Sequence, residues 1–126
     1  SLFSLADLVI LGGSFIPKGG HNPLEPAAFG LPIITGPHTF KNSAEFAGLR
    51  DVGVVCDVAE TDGGLDATIT GQKLAKLVIA IESDKPARRR IASAAKAYAT
   101  AANERSHIAA RKIVVETMKQ PVKTNR

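Results

Sequence analysis

The sequence predicts an α/β fold: a Rossmann-like three-layer fragment with a short parallel sheet, ending in a long helical segment. Three observations carry this. Short apolar runs at Leu8–Leu11, Ile33–Thr35 and Val52–Cys56 alternate with helix-type patterns, and such alternation implies parallel pairing through crossover connections. A glycine-rich loop follows the first run. The last third of the chain is rich in alanine and basic residues at helical spacing.

The elements follow in order. Leu8–Leu11 is stopped by Gly12-Gly13 and is apolar at every position, as in a strand buried on both faces. In Asn22-Pro23-Leu24-Glu25, Asn22 suits the N-cap, Pro23 the first helical position, and Glu25 the third, which completes a capping box. That helix ends near Phe29, with Gly30 as its stop and Pro32 beyond. Ile33–Thr35 is a second buried strand, closed by Gly36-Pro37. A helix over Asn42–Leu49, capped by Asn42 or Ser43, and a third strand over Val52–Cys56 come next. Asp57–Thr68 reads as a polar loop. Thr70 caps an amphipathic helix whose Leu74, Leu77, Val78 and Ile81 share one face. Ser83 or Asp84 starts the final helical region, with Pro86 in its first turn, a bend or break expected near Asn103, and fraying after Gln120.

Composition sets limits. The chain has 126 residues, 44% of them hydrophobic and 22% charged, enough for one modest core. One cysteine, Cys56, excludes an internal disulfide and reads as core. No apolar run approaches the roughly 20 residues that span a bilayer. The net charge of +4 conceals an asymmetry. Residues 1–82 hold five Lys/Arg and nine Asp/Glu, whereas residues 83–126 hold eleven and three. The basic segment reads as a solvated helix face, or as a surface for an anionic partner. Without interleaved aromatic residues it lacks the pattern of single-strand nucleic-acid binding.

The densest chemical signal runs from Gly12 to Pro26. Four glycines (Gly12, Gly13, Gly19, Gly20) and Lys18 lie between a strand's C-terminal end and a helix's N-terminus, where open α/β sheets bind ligands. Glycines allow close backbone approach, free helix N–H groups attract an anion, and Lys18 adds a point charge. A phosphate or nucleotide is the favoured ligand. The loop is neither a Walker A nor a GxGxxG fingerprint. Each residue also has a plainer reading: Gly12 and Gly13 as a turn, Lys18 as a solvated charge, His21 as a loop hydrogen-bond donor, Asn22 as a cap, Glu25 as its capping-box partner. Glu25 could instead accept from vicinal ribose hydroxyls. His21 and Glu25 have metal-ligand spacing but no third ligand nearby. Ser14 and His21 lack an orienting acid for nucleophilic catalysis. His38 and Thr39, after the second strand, either border the same cleft or form a turn.

The stretches Gly12-Gly13-Ser14, Gly19-Gly20-His21-Asn22, Leu24-Glu25-Pro26-Ala27 and Gly36-Pro37-His38-Thr39 together resemble the C-terminal half of the 3-deoxy-D-manno-octulosonic acid (Kdo) transferases of lipopolysaccharide synthesis. The resemblance covers about the first third of the chain. After His38-Thr39 the sequence departs: Phe40-Lys41-Asn42-Ser43 stands where the family places Asn-Phe, which leaves Asn42 without an assigned role. The resemblance implies an inverting GT-B glycosyltransferase that needs no metal or other cofactor and uses CMP-Kdo as donor. Residues 1–126 would form part of its C-terminal nucleotide-sugar-binding domain. The acceptor-binding N-terminal domain, with the catalytic base, would lie outside the chain, leaving it inactive alone. Glu25 would hold the cytidine ribose. Gly19, Gly20, His21 and Asn22 would face the CMP phosphate, and Ser14 and Lys18 would line the sugar or phosphate side. Gly12, Gly13, His38 and Thr39 complete the expected donor set. The implied partners are the nucleotide-sugar donor, a lipid A precursor and the cytoplasmic face of the bacterial inner membrane, with no nucleic acid. The alternatives are a GT-B transferase or epimerase using a UDP-sugar, and a non-catalytic anion-binding module.

Overall fold

The computed structural model of the chain describes residues 2–17, 19, 21–58 and 67–119. Lys18, Gly20 and most of the expected Asp57–Thr68 loop lie outside the described residues, as does the segment after Gln120.

Three parallel strands form one sheet in the order β1 (Val9–Leu11), β2 (Ile33–Thr35), β3 (Val55–Asp57). The register pairs Val9, Ile10 and Leu11 with Ile33, Ile34 and Thr35, and these with Val55, Cys56 and Asp57. Helix α1 (Leu24–Ala28) connects β1 to β2, and α2 (Ser43–Asp51) connects β2 to β3. Helix α3 (Ala67–Ser83) and helix α4 (Lys85–Lys119) complete the chain.

The two faces of the sheet bury different sets. On one, Leu11, Ile33 and Val55 meet Ala27 of α1, Phe46 and Leu49 of α2, and Ala95 and Ala99 of α4. On the other, Ile34 and Val58 meet Ile81, with Leu74, Leu77 and Val78 of α3 packed alongside. The stripe read from the sequence is thus the face that α3 lays on the sheet. Small residues at 95 and 99 let the α4 backbone lie close to the layer beneath. Burying the Phe46 ring completely makes its truncation to alanine cost about 3–5 kcal/mol.

Several expected boundaries move, for physical reasons. The first strand is shorter and not buried on both faces: Ile10 is 43% exposed, because β1 pairs on one side only, with β2. The third strand starts at Val55 rather than Val52. Val52 and Gly53 instead end α2: Gly53 has φ +80°, its N–H donates to the Arg50 carbonyl at 3.0 Å, and the Val54 N–H donates to the Leu49 carbonyl at 2.9 Å. This pair of bonds is a Schellman cap, which favours glycine at the left-handed position. Gly30 (φ +74°) closes α1 the same way, as expected, through Gly30 N–H to Ala27 and Leu31 N–H to Pro26. A 3-10 turn over Phe40–Asn42 precedes α2. Helix α3 begins at Ala67, ahead of Thr70. Asp84 caps α4, accepting from the Ala87 N–H at 3.0 Å. No break interrupts α4 at Asn103: one asparagine costs only a few tenths of a kcal/mol against its Ala-rich surroundings. Lys85, Arg89, Arg90, Lys96 and Arg105 are exposed along α4. No helix among the described residues is long and apolar enough to cross a membrane.

Candidate donor-binding site

The site is assembled from three segments that leave the C-terminal ends of β1 and β2. Directly after β1, Gly12–Phe15 makes a single 3-10 turn rather than a plain reversal. This turns Ser14 inward, where it is fully buried. The Ser14 hydroxyl donates to the Leu11 carbonyl, and its Oγ accepts from the Gly36 N–H at 2.7 Å. The Ser14 carbonyl accepts from the His38 N–H at 2.8 Å. Ser14 therefore joins the two loops and does not face an open cleft. The approach is close: a Cβ at Gly36 would stand 2.7 Å from the Ser14 carbonyl oxygen and 2.9 Å from the Phe15 ring.

A third link comes from Gly19, whose carbonyl accepts from the Lys41 N–H at 3.4 Å. The structure thus brings the Gly12–Ser14 turn, Gly19 and the His38–Lys41 segment together. Gly12 is exposed and Gly13, His38 and Thr39 are half-buried.

The start of α1 falls one residue later than expected: Pro23, not Asn22, is the N-cap, and Leu24 is the first helical residue. Asn22 Oδ1 accepts from the Leu24 N–H at 3.0 Å, and the Pro23 carbonyl accepts from the Ala27 N–H at 3.1 Å. The Glu25 carboxylate does not close a capping box: it is exposed and has no hydrogen-bond partner among the described residues. The same geometry limits what the helix offers an anion. Pro23 and Pro26 have no N–H, and that of Leu24 is engaged by Asn22. Of the donors expected to be free in the first turn, only that of Glu25 remains. An anion here relies on the preceding loop and on nearby cations. His21 and Asn22 are exposed at the mouth of this loop.

On the third strand, Asp57 pairs with Arg50 of α2 through two bonds of 2.6 and 2.8 Å. This hydrogen bonding raises the Arg50 pKa further above its ordinary value. Burial, and then the Asp57 charge, push the Cys56 thiol up. Among the described residues no group of three or more His, Cys, Asp and Glu side chains is placed to hold a metal ion.

Sequence reading missed Lys41, Phe40 and the partnership of Gly48 with Tyr98. None sits in a recognisable motif, and each matters through a contact between distant segments. Gly53 was legible in principle, as a glycine just after a helical run.

Fold and loops together define a class. Parallel strands between two helical layers, with glycine loops at the strand ends and a long final helix, form the C-terminal domain of a GT-B glycosyltransferase. No protein-family model matches the chain. Among curated proteins, the 3-deoxy-D-manno-octulosonic acid transferase of Haemophilus influenzae is 37% identical over 93 residues, 74% of this chain and 20% of that protein. That of Aquifex aeolicus is 48% identical over 40 residues, 32% of this chain and 11% of its own length. The solved C-terminal CMP-Kdo binding domain of WaaA from Acinetobacter baumannii superposes with a TM-score of 0.63 at 25% identity, covering 76% of this chain and 45% of that one. Within its class, the chain is thus a homologue of the C-terminal portion of the Kdo transferases. It spans at most a fifth of the length of these curated relatives.

Proposed function

We propose that the chain is the donor-binding part of an enzyme that transfers Kdo from CMP-Kdo to a lipid A precursor. The observation that supports this best is the convergence of the Gly12–Ser14 turn, Gly19 and the His38–Lys41 segment at the strand ends. In this reading Glu25 accepts from the cytidine ribose hydroxyls. Gly12, Gly13, Gly19, Gly20, His21 and Asn22 offer backbone to the phosphate, Lys18 adds charge, and His38 and Thr39 border the sugar. Ser14 acts from beneath by holding the loops together.

The chemistry follows. An acceptor hydroxyl attacks the anomeric carbon of Kdo as the bond to CMP breaks. Charge collects on the leaving phosphate, where loop N–H groups and a lysine stabilise it without a metal. The proton of the attacking hydroxyl goes to a base assigned to the acceptor-binding half of the parent enzyme. The 126-residue chain alone is then expected to be inactive in transfer. Membrane association at the cytoplasmic face of the inner membrane is assigned to the parent enzyme.

Amide-resolved NMR titration tests the reading. CMP is expected to shift signals of Gly19 to Glu25, and UDP-sugars are not. A response to UDP-sugars alone would replace the Kdo assignment with a UDP-sugar enzyme.

A further inference from the structure

We infer that Lys41 supplies a positive charge that holds the donor's phosphate above Gly19. This rests on the nucleotide-binding reading of the site and adds a residue that lies outside the recognised motif, at the point where the sequence departs from it.

Four observations place it there. Gly19 is buried with φ +92°, and the room a side chain would need is already taken: Lys41 Cγ lies 2.5 Å, Phe40 Cε2 2.8 Å and Lys41 Cδ 3.0 Å from an added Cβ. The methylene stem of Lys41 is therefore laid across Gly19. Second, the position is fixed by backbone: the Lys41 N–H donates to the Gly19 carbonyl at 3.4 Å, and the Asn42 N–H to the Thr39 carbonyl at 3.2 Å closes the turn that carries it. Third, the ammonium is not neutralised by any described residue. Lys41 is exposed and has no ion pair among the described residues, although Glu45 stands one helical turn away. Fourth, the first turn of α1 is short of donors, so an anion there needs charge from elsewhere. A lysine packed by its stem and exposed at its head meets that need.

The experiment measures binding of CMP and of cytidine to the intact chain by calorimetry, for the wild type, Lys41→Met and Lys41→Arg. Methionine keeps the apolar stem over Gly19 and removes the charge. Lys41→Met is expected to weaken CMP binding about tenfold, leave cytidine binding unchanged and flatten the salt dependence of CMP affinity. Lys41→Arg is expected to stay within about threefold of wild type for CMP. Equal CMP affinity for wild type and Lys41→Met would overturn the inference while leaving the nucleotide site standing. Parallel losses for CMP and cytidine would also overturn it, since the residue would then act through packing. Failure of the wild type to bind either ligand would overturn the underlying nucleotide reading and the inference with it.

Discussion

Ser14→Ala separates a structural hydroxyl from a ligand-binding one. The Ser14 side chain is fully buried and takes part in two bonds, giving its proton to Leu11 and accepting from Gly36. Alanine fits the same space, so the substitution removes bonding and almost no volume. It strands a buried N–H at Gly36 and a carbonyl at Leu11. Each buried polar group left without a partner costs about 1–3 kcal/mol, which puts the loss for the two at about 2–6 kcal/mol. For a domain of this size each kcal/mol moves the melting midpoint by roughly 3–6 °C, so a drop of roughly 10 °C or more is expected. Thermal unfolding followed by circular dichroism measures it, with CMP titration of the folded variant in parallel. A midpoint within 2 °C of wild type would refute the reasoning. If CMP binding disappeared at the same time, Ser14 would be a ligand contact instead.

Three further outcomes are expected. Gly48→Ala places a Cβ 1.9 Å from the Tyr98 hydroxyl oxygen; the clash costs about 1–3 kcal/mol, offset by about 1 kcal/mol of helix propensity, and adding Tyr98→Ala should make it harmless in a denaturant-unfolding cycle. Gly12→Ala meets nothing within 4 Å, so its melting temperature should stay within 2 °C of wild type, and any loss of CMP affinity by calorimetry would report backbone approach by the ligand. Cys56 should be alkylated by iodoacetamide more slowly than free cysteine at pH 8, with its rate profile displaced to higher pH, because burial and Asp57 favour the protonated thiol. A group whose pKa is raised on folding adds stability below its unfolded value and loses it as pH rises through the folded one. Cys56→Ala should therefore flatten the alkaline side of the stability curve.

Local signals account for what the sequence made legible. β2 is legible because two isoleucines and a threonine, β-branched throughout, lie between proline and glycine breakers, and Gly30 announces the end of α1 because only a left-handed residue closes a Schellman cap. The loops were found because glycines cluster where a strand gives way to a helix. The failures share a cause. Ser14 sits in the Gly12–Ser14 motif and suggested ligand contact, yet its hydroxyl is spent on a residue 22 positions away. Such pairing leaves no periodic trace. Glu25 has the spacing of a capping partner, but the helix begins one residue later than expected, and the proline at its N-cap has no N–H to donate to the carboxylate. The third strand is shorter than its apolar run because Val52 and Gly53 belong to the cap of α2. Asn103 does not break α4 because the alanines around it outweigh one polar residue.

The length of α4 has a mechanical consequence. Its 35 residues make a rod about 52 Å long. Among the residues of α4 whose burial is described, the buried ones are Ala95 and Ala99, in its first half. From that fulcrum to Lys119 is about 33 Å, so a tilt of about 5° at the seat would carry the far end about 3 Å. Along the same stretch Tyr98 lies against Gly48 of α2. A small change at that seat would thus be read out, enlarged, some six turns further along the helix at Lys119.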